Sequence, residues 1–350
     1  MSKKEKCCPK VSVGGQALIE GIMMQGPKGA AMSVRLPDGT IDTEKLEVKH
    51  IRDKFKPAGW PLIRGVFNMV ESLMFGMKCM EKSAEKAGLD DDTDPENMSK
   101  LDKWLNDHLG PKLMGIISVI AMVLGMALAF GLFIYAPSKL VALADTHLLG
   151  DFLVNHAMRP LFEGVIRIAI FIGYLAAVSN MKDIKRVFMY HGAEHKTIFC
   201  YEAGEELTVE NVKKFSRFHP RCGTSFMFII LIISILASSA LAVILKQFPE
   251  LKIGGEHILN VAWAWSVIKV LIMPLVMGFG YEILKFSGKH DNKCVRFLVA
   301  PGLWMQRLTT KEPEDSMIEV GIAALKAVTE GIPADNTATE EGTDGEAESD

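Results

Sequence analysis

Residues Ser225–Leu245 read SFMFIILIISILASSALAVIL, an unbroken run without a single charge. At about 1.5 Å of rise per residue, a helix of this length crosses a hydrocarbon layer of ~30 Å. Three further stretches have the same character: Leu113–Tyr135, Leu161–Met181 and Val261–Leu284. The expected fold is mainly α, a polytopic helical membrane protein of about four transmembrane helices. Composition agrees, since 49% hydrophobic residues and a mean hydropathy of +0.19 are too apolar for two soluble domains in 350 residues.

The flanks orient the spans. The 182–224 segment carries Lys182, Lys185, Arg186, Lys196, Lys213, Lys214, Arg217 and Arg221, and the 285–311 segment is also basic. The 136–160 and 246–260 loops offer only Lys139, Arg159, Lys246 and Lys252. By the positive-inside rule, both termini and the 182–224 segment are expected in the cytoplasm. The six cysteines form no extracellular disulfide pattern, which suits a reducing compartment. Met1–Lys10 is basic but leads into no apolar run, so no cleavable signal peptide is expected.

The remaining segments divide by composition. Residues 1–56 form a cytoplasmic segment with a small β element, two short strands at Ala31–Leu36 and Thr40–Ile41 around Pro37-Asp38-Gly39. Residues 57–100 hold an amphipathic helix, Pro61–Lys86, lying along a membrane or against other helices, and then an acidic linker. The membrane domain occupies 101–311. Residues 312–330 make an amphipathic C-terminal helix with Met317, Ile318, Ile322, Leu325 and Val328 on one side, and 331–350 an acidic tail expected to be disordered. Within the spans, Glu163 and Arg167 stand four apart and Lys269 lies well inside the fourth. They either snorkel to an interface or form a buried polar cluster.

Chemistry is expected at Tyr190-His191-Gly192-Ala193-Glu194-His195-Lys196, just after the second span. His191 and His195 project from one helical face, one turn apart, and can grip one divalent metal, with zinc the first expectation. The order H-x-x-E-H is that of inverted zinc peptidases. Ahead of the third span, Pro220 and Gly223 prevent a regular helix and set His219 and Cys222 on a rigid turn. His219 or Cys222 is the natural third ligand, with Glu202, Glu205 and Glu206 as alternatives and Lys196 and Arg221 as basic neighbours. Glu194 is then the catalytic base for water in an open fourth position, unless it is a ligand itself. The plainer reading is that the two histidines bond loop carbonyls or lipid phosphates, and that Cys222 is a small buried residue.

Several blocks together resemble the YqhQ-like family of bacterial membrane proteins. They are Gly14 to Gly21, Arg64-Gly65-Val66, Tyr190 to Lys196, Tyr201 to Glu205, His219 to Phe226 and Pro301 to Thr309, and the resemblance covers roughly residues 11–330. It implies a predicted metal-dependent enzyme of the bacterial cytoplasmic membrane with no substrate attached, and the motif's own reading makes hydrolysis the simplest activity. The family's proximity to translation-factor genes implies the alternative, a non-catalytic factor that joins the translocon or ribosome in membrane protein biogenesis. The bilayer is the expected partner, and no sequence-specific nucleic-acid binding is expected. A small-solute transporter using Glu163, Arg167 and Lys269 is the third class, disfavoured by only four spans.

Overall fold

The structure, a computed structural model, describes residues 13–48, 51–88, 111–150, 152–155, 158–220, 222–287 and 293–330. The acidic linker, Arg221 and the acidic tail lie outside the described residues. Among the described residues, three helices are long and apolar enough to cross a membrane, or four if a bent pair counts as one.

The first apolar helix, α2 (Pro111–Phe130), does not end at Tyr135. It runs through a π-turn at Gly131–Tyr135 into α3 (Ala136–Ala144) and a second π segment at Asp145–Leu149, so 136–149 is helix where a loop was expected. Pro137 explains the irregularity. It lacks an N–H and frees the carbonyl four residues back, and the π-turn absorbs the misfit. That carbonyl belongs to Phe133, and Arg167 Nε donates to it at 2.9 Å. The second and third apolar helices are α4 (Arg159–Val178) and α7 (Gly223–Leu245). The expected fourth span is two helices, α8 (Ala262–Leu271) and α9 (Met273–Ser287), bent by 45°. Pro274 is the cause, because its ring would strike the Val270 carbonyl in a continuous helix.

The charged residues of these helices meet one another. Glu163 accepts from Lys269 Nζ at 2.7 Å, Arg159 Nε at 3.2 Å and Trp265 Nε1 at 3.2 Å. Lys269 also reaches Ser138 Oγ, and Arg159 Nη1 caps the Leu259 carbonyl at 2.5 Å. Arg167 bonds Phe133 O and Ser234 Oγ, not Glu163. Gly164 makes room for this packing, since a Cβ there would lie 2.6 Å from Ile235.

Beside the apolar helices stands a small α/β layer. Its sheet is an antiparallel meander of four strands, β1 (Gly14–Leu18), β2 (Gly21–Gly26), β3 (Gly29–Arg35) and β4 (Ile41–Leu46). Only the β3–β4 hairpin was expected. Side chains alternate across the sheet. Ile22, Met24 and Ala31 pack on α5 (Lys182–Glu202) and α11 (Asp315–Thr329), whereas Leu18, Met23, Met32 and Val34 pack on α1 (Ile63–Lys86) around Cys79. Helix α11 is the keystone, with Met317, Ile318 and Leu325 fully buried. Each of these contributes about 1.5–3 kcal/mol of hydrophobic stabilisation.

Helix α1 ties this layer to α9. Arg64 forms a two-pronged ion pair with Glu282 at 2.7 and 2.5 Å, Asn68 donates to Tyr281 Oη at 2.8 Å, and Gly65 meets Gly278 backbone to backbone. The opposite side of α1 exposes Val70, Leu73, Met74 and Met77 as one apolar stripe.

Candidate metal centre

Helix α5 carries the histidine pair, and a close approach at Gly192 builds its surroundings. A Cβ at Gly192 would fall 2.0 Å from the Lys311 carbonyl, so only glycine lets residues 309–313 lie along the helix. Lys311 N anchors this strap by donating to Phe188 O at 2.8 Å. The strap brings the Thr309 carbonyl to His191 Nδ1 at 2.8 Å. From the other side, the segment before α7 brings the Arg217 carbonyl to His195 Nδ1 at 2.5 Å.

These two bonds set the tautomers. A carbonyl only accepts, so each Nδ1 carries a proton and Nε2 is the ring atom left to face the cluster. His191 Nε2 lies 3.2 Å from Cys222 Sγ. The three ligand atoms, from His191, His195 and Cys222, all fall within 4.8 Å of one another. His195 Nε2 is buried and makes no hydrogen bond of ordinary geometry, and the side chain it interacts with is Cys222. Bonding to loop carbonyls therefore occupies one nitrogen of each ring and aims the other at the thiol. Metal-ligating histidines are oriented in this way, by a carbonyl on the far nitrogen. Bonds of ~2.0–2.3 Å to zinc from two imidazoles and a thiolate require only a small contraction of such a cluster.

Glu194 sits on the same helical face and is 5% exposed. Burial pushes its carboxyl up to about 8, His191 pulls it down, Cys222 pushes it up, and the Gly15 N–H pulls it down by donating to it. A Cβ at Gly15 would lie 2.9 Å from Glu194 Oε1, so β1 passes the carboxylate where a side chain would block it. Burial also lowers His195, which keeps the ring neutral and able to ligate.

The other candidates fall nearby in different roles. His219 meets Phe199 edge to face with ring centres 4.6 Å apart, and its backbone is clamped by Gln306 through bonds of 2.8 and 2.7 Å. Its Nε2 is 3.6 Å from Glu202 Oε2, so these two lie beside the three-atom cluster and not in it. Lys196 turns away to Glu312 and to the Lys213 carbonyl at 3.2 Å. Glu205 and Glu206 are exposed on the turn after α5. Reasoning from the sequence passes over the carbonyls of Thr309 and Arg217, the Gly15 N–H and Gln306, because backbone groups and distant clamps leave no residue-type signal. Gly15, Gln306 and Thr309 leave one trace, that Gly14–Gly21 and Pro301–Thr309 are two of the blocks that carry the family resemblance, and Arg217 leaves none.

Two comparisons with known proteins agree. The family model described as "Protein of unknown function (DUF1385)" matches residues 60–331. The chain is 32% identical over 315 residues to "Uncharacterized protein YqhQ" of Bacillus subtilis (strain 168), covering 89% of this chain and 90% of that protein. No solved structure matches. With most of both chains aligned, and with the family model spanning α1 to α11, this protein belongs to the DUF1385 family, together with YqhQ.

Proposed function

We propose that this is a multi-pass membrane protein carrying a His2Cys zinc centre at the cytoplasmic surface, and that the centre performs hydrolysis. The observation that carries the reading is the convergence of the His191 and His195 rings on the Cys222 thiol, with all three ligand atoms within 4.8 Å of one another and His195 Nε2 buried. Two imidazoles and a thiolate form a borderline-soft set suited to zinc, with a fourth position left for water. Bound there, zinc supplies a Lewis acid that lowers the proton affinity of water.

The chain's own residues do the rest. Thr309 O and Arg217 O hold the imidazoles, and Gly15 N–H holds the Glu194 carboxylate. Glu194 takes up a proton at its carboxylate oxygen and releases it to the leaving group. Burial of Glu194 raises its affinity for a proton, which suits a group that takes one up there. The exposed apolar surfaces of α2, α4 and α7 support insertion in the bilayer, and the basic 182–224 segment supports a cytoplasmic centre.

The test compares three variants in cells lacking the native protein. Glu194→Gln keeps size and hydrogen bonding, so it should retain metal and lose function. His195→Ala and Cys222→Ser should lose both. Full complementation by all three variants at normal protein level would refute the enzyme and leave a binding partner, translocon or ribosome, as the account.

A further inference from the structure

A second polar feature lies away from the metal centre, in a cavity of about 330 Å³ between α1, the π-turn of α2, α4, α7 and α9. That size falls within the ~300–1,000 Å³ range of small-molecule sites. Four methionines, Met69, Met227, Met273 and Met277, make up much of its wall. Unbranched thioethers yield to a flexible apolar chain and re-pack around it. The polar side chains that face it are Arg167 and Ser234.

Arg167 is 8% exposed, and its bonds go to neutral acceptors, Phe133 O at 2.9 Å and Ser234 Oγ at 3.3 Å. Glu163, one turn back, is already held by Lys269 at 2.7 Å and Arg159 at 3.2 Å. Among the described residues, no carboxylate forms a salt bridge with Arg167, and Glu163 acts on it only through space while bonded to Lys269 and Arg159. A guanidinium lodged in apolar surroundings and facing a cavity calls for an anion, and its planar fork matches a carboxylate.

We propose that this cavity binds one long-chain carboxylate, with its acyl chain along the methionine wall and its head on Arg167. A diacyl phospholipid fits less well, because its head belongs at an interface whereas Arg167 lies near the middle of α4. The proposal is independent of the metal centre.

Its test uses the full-length protein in detergent with three probes: radiolabelled palmitate, hexadecanol and a phosphatidylglycerol. Palmitate should bind saturably at one per chain and at least tenfold more tightly than hexadecanol. In Arg167→Gln that preference should vanish while hexadecanol still binds. Because Arg167 also caps Phe133 O, Met227→Trp serves as a second variant that fills the cavity without touching the guanidinium, and it should weaken both single-chain probes at least tenfold. Equal affinity for palmitate and hexadecanol, no saturable binding, preferential binding of phosphatidylglycerol, or an unaffected Met227→Trp would each overturn the proposal.

Discussion

Glu163→Gln isolates what the buried charges contribute. The carboxylate is 1% exposed and is shared by Lys269 at 2.7 Å and Arg159 at 3.2 Å, both 4% exposed. Glutamine keeps the shape and the acceptor for Trp265 but leaves two cations facing a neutral amide. Removing one partner of a buried pair typically costs about 3–5 kcal/mol, since the stranded charge stays desolvated. For a domain of this size each kcal/mol moves a melting midpoint by roughly 2–4 °C, so a fall of about 10 °C is expected. Lys269→Met alone should cost less, because Glu163 keeps Arg159. The double variant should be more stable than the sum predicts, by about 1–3 kcal/mol of coupling. Fluorescence-detected size exclusion after heating reads all four proteins. Additive effects would show that the contacts are not energetically linked. Coupling of Glu163 to Arg167 in place of Lys269 would show that the pairing is wrong.

Gly192→Ala should unseat the 309–313 strap from α5, withdraw the Thr309 carbonyl from His191, and weaken metal binding by about 10–100-fold, as read by competition with a chelator. Glu20 is pushed up by burial, but Arg186, bonded at 2.6 Å, and Tyr190, at 3.0 Å, outweigh this and hold its carboxyl below 4.5. A depressed carboxyl contributes stability above its unfolded value and loses it as pH falls through the folded one. The thermal midpoint should therefore drop as pH falls through and below the ordinary carboxylate range, and less steeply in Glu20→Gln. Reporter fusions after Gly204 and at the C-terminus should report the cytoplasm, and one after Gly254 the outside. An external Gly204 would remove the centre from the cytoplasm.

Apolar length was easy to read in the sequence because it is a local property, and so were the α11 stripe and the spacing of His191 and His195. What stayed hidden depended on distant partners. Strands β1 and β2 are rich in glycine and interrupted by turns, and they become strands by pairing in register with β3, so periodicity did not reveal them. The first span was expected to end at Tyr135, because the π-turn that accommodates Pro137 leaves no pattern of its own. Pro274 did break a helix, within a stretch apolar enough to pass as one span. Glu163 and Arg167 invited pairing by their spacing, yet Arg159, four residues to the other side, and Lys269, 106 positions away, hold the carboxylate. In the centre, Cys222 shared the leading place for the third ligand with His219, ahead of Glu202, Glu205 and Glu206, and only the fold brings its sulfur, not the His219 ring, to the imidazole nitrogens.

X-ray absorption at the zinc edge, on protein purified from membranes without added metal, bears most directly on the centre. The account predicts about one zinc per chain, two imidazole nitrogens at ~2.0–2.1 Å and one sulfur at ~2.3 Å, with the sulfur shell lost in Cys222→Ser. Folded protein that carries no metal and takes none up, or a bound metal with no sulfur neighbour, would contradict it.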